Sequence, residues 1–393
     1  MKMRRGRNIG IALTLCAGWL SAQNVVSNPK QAAAPNAGRI VELRLQEAVK
    51  SGSGPAALKG PGRLKVAPDG TIILHDSNRL AKFDSKGNFI KDLYGWDSNR
   101  SVVAGSYSGG RPQIAQAGFS FVLDGSDIVC CDLAKSQIFT LDIEGKTKKE
   151  INLAEPILGA QVVAAGKGRI LLSGRPLPAG GMGMGGGSMM DPVLFSLSAD
   201  GTKLTPIATF SAPYENQSQT QDGPVQYSSF RVAAPLNISV SGDRYAYASH
   251  TAEFQVKVMD LDTGQILRTF KRDYARVENT DPAPAAGSSL NMGGSAISPP
   301  RLKIKNDISG LYPHGDRLWV LTSTYDKNKG TLIDVFDAEG RYVDCFYLKA
   351  EVNGQVHSFD GLKTWLTGDA VYFTVKDSDG THRIYKSPLL DGV

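Results

Sequence analysis

No stretch of this 393-residue sequence reaches the roughly 18 consecutive apolar residues of a membrane helix. It has no His-x-x-x-His, His-x-His or Cys/His cluster of the kind that holds zinc. It also has no Gly-x-Ser-x-Gly elbow, and no Ser/His/Asp order that marks a nucleophile. Cysteine is scarce: only Cys16, Cys130, Cys131 and Cys345 are present, which excludes a disulfide-dense scaffold. A bridge from Cys345 to Cys130 or Cys131 stays open as an alternative to three buried thiols.

What is present first is a leader. Lys2, Arg4, Arg5 and Arg7 precede the apolar run Ile9 to Leu20, and small residues follow at Ser21 and Ala22. This layout is that of a secretory signal peptide over residues 1–22, so the expected location is periplasmic or extracellular. Leu15 before Cys16 departs from a lipobox. Without those four basic residues, the 44 Lys+Arg become 40 against 38 Asp+Glu, and the net charge falls from +6 to +2. That leaves no basic excess to suggest nucleic acid as a partner. Residues 23–38, rich in Ala, Asn, Pro and Gln, read as a flexible linker ahead of one domain over 39–393.

Glycine is plentiful, at 43 residues, and its placement carries the fold. One set of turns lies at Asp69-Gly70, Asp124-Gly125, Gly166-Lys167-Gly168, Ser241-Gly242, His314-Gly315 and Thr367-Gly368. A second set lies at Lys86-Gly87, Glu144-Gly145, Asp200-Gly201, Thr263-Gly264 and Glu339-Gly340. Hairpin turns need positive φ, which glycine adopts without steric cost. In the second set an apolar residue and an Asp or Ser precede the glycine, as in Phe83-Asp84 and Phe336-Asp337. Those carboxylates are expected to accept bonds from turn amides rather than to catalyse. The two sets alternate, which defines a four-stranded antiparallel unit: the first joins strands 1 and 2, the second strands 3 and 4. Six turns against five leave the last unit one strand short. The alternating segment Arg39-Ile-Val-Glu-Leu-Arg-Leu45 is the candidate that fills the gap. The expectation is an all-β, six-bladed propeller whose ring is closed by an N-terminal strand. A separate β-sandwich after residue 211 is the competing reading; a seventh blade does not fit into 272–301.

The segment Ile72-Ile-Leu-His-Asp76-Ser-Asn78-Arg79-Leu-Ala-Lys-Phe83-Asp84-Ser-Lys-Gly87 resembles one NHL-type repeat, and Cys131-Asp132 through Gly145 is a weaker second copy. The resemblance implies a six-bladed propeller. The family shares no single activity, so it implies little about function.

From Gly87 to Gly340 the unit averages about 63 residues, against roughly 40–45 for a compact blade. The excess falls between blades, at 95–116, 212–234 and 272–301, and between strands 2 and 3, at 174–192 and 323–330. In a meander blade both kinds of connection emerge on the same side, so the insertions crowd one mouth of the central channel. Long loops on a rigid scaffold carry recognition. The candidate binding residues there are Trp96, Arg100, Tyr107, Arg111, Tyr227, Arg231, Arg301 and Tyr325. Tyr214, Phe230, Tyr274 and Arg276 share those loops.

The sequence identifies no catalytic residue, and no metal site is expected. His75 and His250 fall in blades that face each other across the ring, too far apart to share one ion. Asp76, Asp132, Asp222 and Asp326 near the loop-rich face are candidate ligands for Ca²⁺ or a general acid, with a spacing that specifies neither. Met182, Met184, Met189 and Met190 lie in a glycine-rich insertion, and Met292 lies in another; soft thioethers there suit Cu(I) as a lesser alternative. The reading these residues favour is a monomeric binding propeller for a protein, peptide or glycan. The alternative is a propeller hydrolase or lyase with a metal or carboxylate site at the channel mouth.

Overall fold

Glycines with positive φ set the breaks between strands: Gly70, Gly125, Gly242 and Gly315 in the first set of turns, and Gly87, Gly145, Gly201, Gly264 and Gly340 in the second. In the second set the preceding carboxylates cap the turns as expected. Asp84 Oδ1 accepts the amides of Lys86 and Asn88 at 2.9 and 2.8 Å, and Asp337 Oδ1 accepts those of Glu339 and Arg341 at 3.0 and 2.9 Å. The strands between these turns form six antiparallel blades in a computed structural model. It describes residues 24–96, 118–153, 157–176, 191–211, 234–280, 303–360, 362–367 and 370–389, with the backbone of strands at 102–106, 112–115, 215–219, 228–232, 290–292 and 295–297.

Blade 1 comprises Pro61–Val66, Ile72–Asp76, Arg79–Phe83 and Phe89–Gly95. Blade 2 runs from Phe119–Asp124 to Thr147–Asn152, and blade 3 from Ile157–Gly166 to Leu204–Thr209. Blade 4 runs from Asn237–Ser241 to Ile266–Arg272, and blade 5 from Ile308–His314 to Tyr342–Val352. Blade 6 holds Thr364–Thr367, Ala370–Lys376 and His382–Pro388, one strand short. The core is divided among the blade interfaces. Six separate clusters of buried side chains each join one neighbouring pair, such as Ile73, Leu80 and Trp96 with Phe121 and Phe139 between blades 1 and 2.

An N-terminal strand completes the last blade and closes the ring, as expected, but it is not the segment that alternation singled out. Three N-terminal strands, β1 (Asn24–Asn28), β2 (Arg39–Glu42) and β3 (Gln46–Val49), are laid along the rim of successive blades. β1 pairs in parallel with the outer strand of blade 4 and β2 with that of blade 5. Only β3 completes blade 6, antiparallel to His382–Pro388. The first four residues of the candidate segment Arg39–Leu45 are therefore a fifth strand of blade 5, and the closing strand begins at the residue after Leu45. Part of the composition-based linker 23–38 is likewise a strand. Asn28 anchors it, donating to Gly340 O at 2.9 Å and accepting from the Tyr342 amide at 2.8 Å. Backbone pairing overrides a composition that has few apolar side chains to bury.

Candidate functional site

The innermost strand of each blade presents alternate residues to the axis. In blade 1, Leu64 is fully buried among its neighbours, so Arg63 and Lys65 point the other way, into the channel. Gln161 and Val163 line it from blade 3, Asn237 and Ser239 from blade 4, Ser309 and Tyr312 from blade 5, and Trp365 and Thr367 from blade 6. Val122 and Leu123 complete the wall from blade 2, and Arg175 enters from strand 2 of blade 3. The cavity so enclosed measures about 870 Å³ and runs from Pro192 and Pro235 on the insertion side to Gly242 at the tight-turn side.

Its electrostatics are one-sided. Among the described residues the lining contains three cations, Arg63, Lys65 and Arg175, and no Asp, Glu or His. Arg63 braces the wall, donating to Val162 O at 2.9 Å and to Gln161 Oε1 at 3.3 Å. The Lys65 side chain forms no hydrogen bond or ion pair with a described residue, and Arg175 Nε is buried with no partner among them. Burial lowers the Arg63 pKa, and burial together with the neighbouring Arg63 lowers that of Lys65. Two cations two residues apart on a strand, about 7 Å between Cα atoms, repel by about 2 kcal/mol at an effective dielectric constant near 20.

No protein-family model matches the chain, and no curated protein matches it. Solved structures do. A member of the DUF4221 family from Bacteroides vulgatus superposes with a TM-score of 0.50 at 10% identity, covering 90% of this chain and 98% of that one. A gluconolactonase from Xanthomonas campestris gives 0.45 at 13% identity over 91% and 97% of the two chains. A virginiamycin B lyase from Staphylococcus aureus gives 0.40 at 11% over 88% and 99%. At such identities the likeness is one of fold alone.

The residues singled out in the sequence fare unevenly. Trp96 is 9% exposed and lies flat on Phe119, ring centroids 4.1 Å apart, with Tyr94 and His75 around it. Its ring packs into the interface between blades 1 and 2, and it borders the open cleft beside Arg79. Tyr325 is 40% exposed, its hydroxyl donating to Val356 O at 2.7 Å, and its face is open to a partner. Tyr274 and Arg276 are framework: Tyr274 shares a hydrogen bond with Thr324 at 2.6 Å and Arg276 pairs with Asp307 at 3.1 Å. Arg100, Tyr107, Arg111, Tyr214, Tyr227, Arg301, Asp222 and the methionines 182–190 lie outside the described residues, as do the side chains of Phe230, Arg231 and Met292.

Three of the candidate carboxylates, Asp76, Asp132 and Asp326, are structural. Asp76, fully buried, accepts two amides and two guanidinium N–H groups; Asp132 accepts the Tyr94 hydroxyl at 2.9 Å; Asp326 caps its own turn. No three His, Cys, Asp or Glu converge among the described residues. Cys130, Cys131 and Cys345 are all buried and unbridged. What sequence reasoning missed is the channel wall itself. Its signal was the alternation Arg63-Leu64-Lys65, a charged face on a strand whose other face is core.

Proposed function

We propose that this protein is an exported, monomeric binding propeller that takes part of a protein, peptide or glycan partner into the axial cavity at its insertion-bearing mouth. The observation that carries the reading is a cavity of about 870 Å³ walled by the inner strands of all six blades and furnished with side-chain donors. Its size falls in the range of roughly 300–1,000 Å³ in which proteins hold small ligands or the ends of larger ones. Export is supported by the charged and apolar leader of residues 1–22. A single ring completes the cavity, so a second copy is not required. The NHL-type repeat at 72–87 agrees with a binding scaffold and names no chemistry. A metal-dependent hydrolase or lyase would need carboxylates or histidines converging on the channel, and the described lining supplies cations and amides instead.

Trp365 lines the cavity, whereas Trp96 and Trp319 are buried at blade interfaces, so tryptophan fluorescence reports on the site. Residues 23–393 are titrated with peptide and glycan panels while emission is followed, and bound metal is measured by elemental mass spectrometry. A saturable change that disappears in Trp365→Phe supports the reading. Stoichiometric metal with turnover of an ester or lactone would replace it with the hydrolase.

A further inference from the structure

Three cations share the wall of one cavity, and no carboxylate stands among the described residues beside them. Buried charge is ordinarily paired, because taking an ion out of water without a partner is costly. Elsewhere this chain follows that rule closely. Arg79 is paired with Asp76 at 2.8 Å, Arg272 with Asp334, Arg276 with Asp307, and Lys305 with Asp360. The axial cavity is the exception, and a wall of a single sign in a cleft draws in the opposite charge. Resting on the reading of this cavity as the place where part of the partner is taken in, we infer that the part it receives is a small anionic group, such as an acidic sugar or another organic acid bearing a carboxylate or a phosphate, held by Arg63, Lys65 and Arg175.

The donors suit that chemistry. Arg63 spends N–H groups on Val162 O and Gln161, which fixes its planar fork in place and leaves the rest for an oxyanion. Lys65, two residues along the same strand, brings a second charge whose side chain has no partner among the described residues. Arg175 brings Nε from blade 3, the same blade that Arg63 reaches with its hydrogen bonds. Asn237 and Ser239 supply neutral donors and acceptors for hydroxyl groups, Ser309, which donates to Asp360 at 2.8 Å, supplies an acceptor, and Trp365 supplies an apolar face. An acid of one or two sugar units matches both the volume and this mixture. An extended polyanion such as nucleic acid is disfavoured by enclosure within the ring and by a chain whose charge is close to balanced once the leader is removed.

The test is calorimetric titration of residues 23–393 at low salt, with Trp365 emission as a second readout. The ligands are D-glucuronate and citrate as carboxylates, D-glucose 6-phosphate as a phosphate, D-glucose as the neutral control and D-glucosamine as the cationic one. The organic anions are expected to bind and the neutral and cationic sugars not to. Lys65→Gln is expected to weaken the anions about tenfold, and Lys65→Gln/Arg175→Gln about a hundredfold. Lys146→Gln, on an exposed turn at the other face, is expected to leave binding unchanged. Thermal unfolding of the variants separates lost binding from lost folding, and both are expected to fold because each removes an unpaired buried charge. The preferred class of anion identifies whether carboxylate or phosphate is the recognised group. Glucose bound as well as glucuronate, or wild-type affinity in the double variant, overturns the inference and leaves the cavity a ligand site. Inorganic phosphate bound as tightly as every organic anion reduces the site to an adventitious ion and also overturns it. Failure of every ligand, whatever its charge, removes both the inference and the reading beneath it.

Discussion

Replacing Asp76 with alanine removes the hub of the link between the closing strand and blade 1. The carboxylate is fully buried and its acceptor sites are full. Oδ1 takes the amides of Lys59 and Gly60 at 2.9 and 2.7 Å, while Oδ2 takes Nε and Nη2 of Arg79 at 3.1 and 2.8 Å. Arg79, itself 7% exposed, also donates to the carbonyls of Pro55 and Ala57, which ties the loop after β3 to the blade. In Asp76→Ala the guanidinium keeps those carbonyls and Asp92 at 3.3 Å, but loses its buried counter-charge. Breaking such a pair costs about 3–5 kcal/mol, and two stranded amides add about 1–3 kcal/mol each without full additivity. The open cleft beside Arg79, lined by Lys59, Asn78 and Trp96, admits water and pulls the total toward the low end. The expected loss is about 4 kcal/mol, a large share of the roughly 5–15 kcal/mol that holds a domain together. Asp76→Asn, which keeps a carbonyl acceptor, is expected to lose about half as much. Urea unfolding followed by circular dichroism measures both, and the m-value should not change. A loss below about 1 kcal/mol for Asp76→Ala would refute the assignment of this motif to ring assembly.

Three shorter predictions follow from the same structure. A Cβ on Gly87 would collide with the Ala48 carbonyl of β3 and stand 3.1 Å from Val49 Cα, whereas one on Gly242 meets nothing within 4 Å. Both residues have positive φ, at +79 and +56°, so Gly242→Ala should cost about 1–2 kcal/mol and Gly87→Ala clearly more. Equal losses in urea unfolding would mean that β3 yields freely and does not close the ring. Burial depresses the pKa of His250, 8% exposed, and of His75. The unfolded chain therefore takes up protons that the native one refuses as pH falls through about 6.5, and stability drops by up to about 0.8 kcal/mol for His250 at pH 6. Asp334, pushed up to about 6 by burial, works in the opposite sense and offsets about 0.4 kcal/mol of that loss at pH 6, because about half of it is then protonated in the native state. Urea unfolding at pH 7.5 and 6 checks the histidine term, and equal stabilities would contradict it. Burial also raises the Cys130 and Cys131 thiols, Cys131 to about 12, and Cys345 is buried as well. A disulfide reagent should leave native residues 23–393 unmodified and titrate three thiols after denaturation; fast native labelling would show an open blade 2 or blade 5.

The six-bladed architecture was legible because it is written in short range. A Gly-bearing turn, the Asp that caps it and the alternating strands beside it are all specified by residues next to one another, so counting turns counted blades. The missing strand of blade 6 could be inferred for the same reason, since an incomplete sheet leaves an edge that some other segment must cover. Which segment covers it was decided by the tertiary structure. Arg39–Glu42 belongs to an alternating segment, whereas Gln46–Val49 does not alternate, its two apolar residues standing side by side. The pairing of Arg39 with Asp344 at 2.9 Å, across some three hundred residues, draws the first to blade 5 and leaves the second for blade 6. The same division applies to the site. The alternation Arg63-Leu64-Lys65 encodes a charged face on blade 1, although the sequence reading passed over it. Whether such a face meets bulk water or an enclosed axis depends on closing all six blades, and so does the sign of the whole wall. Trp96 shows the converse: at the end of a strand it looked available for recognition, and only the approach of Phe119 from the next blade buries it. Local sequence sets backbone geometry through sterics and turn hydrogen bonds. Burial and channel charge are properties of the assembled ring, because they depend on side chains that share no stretch of sequence.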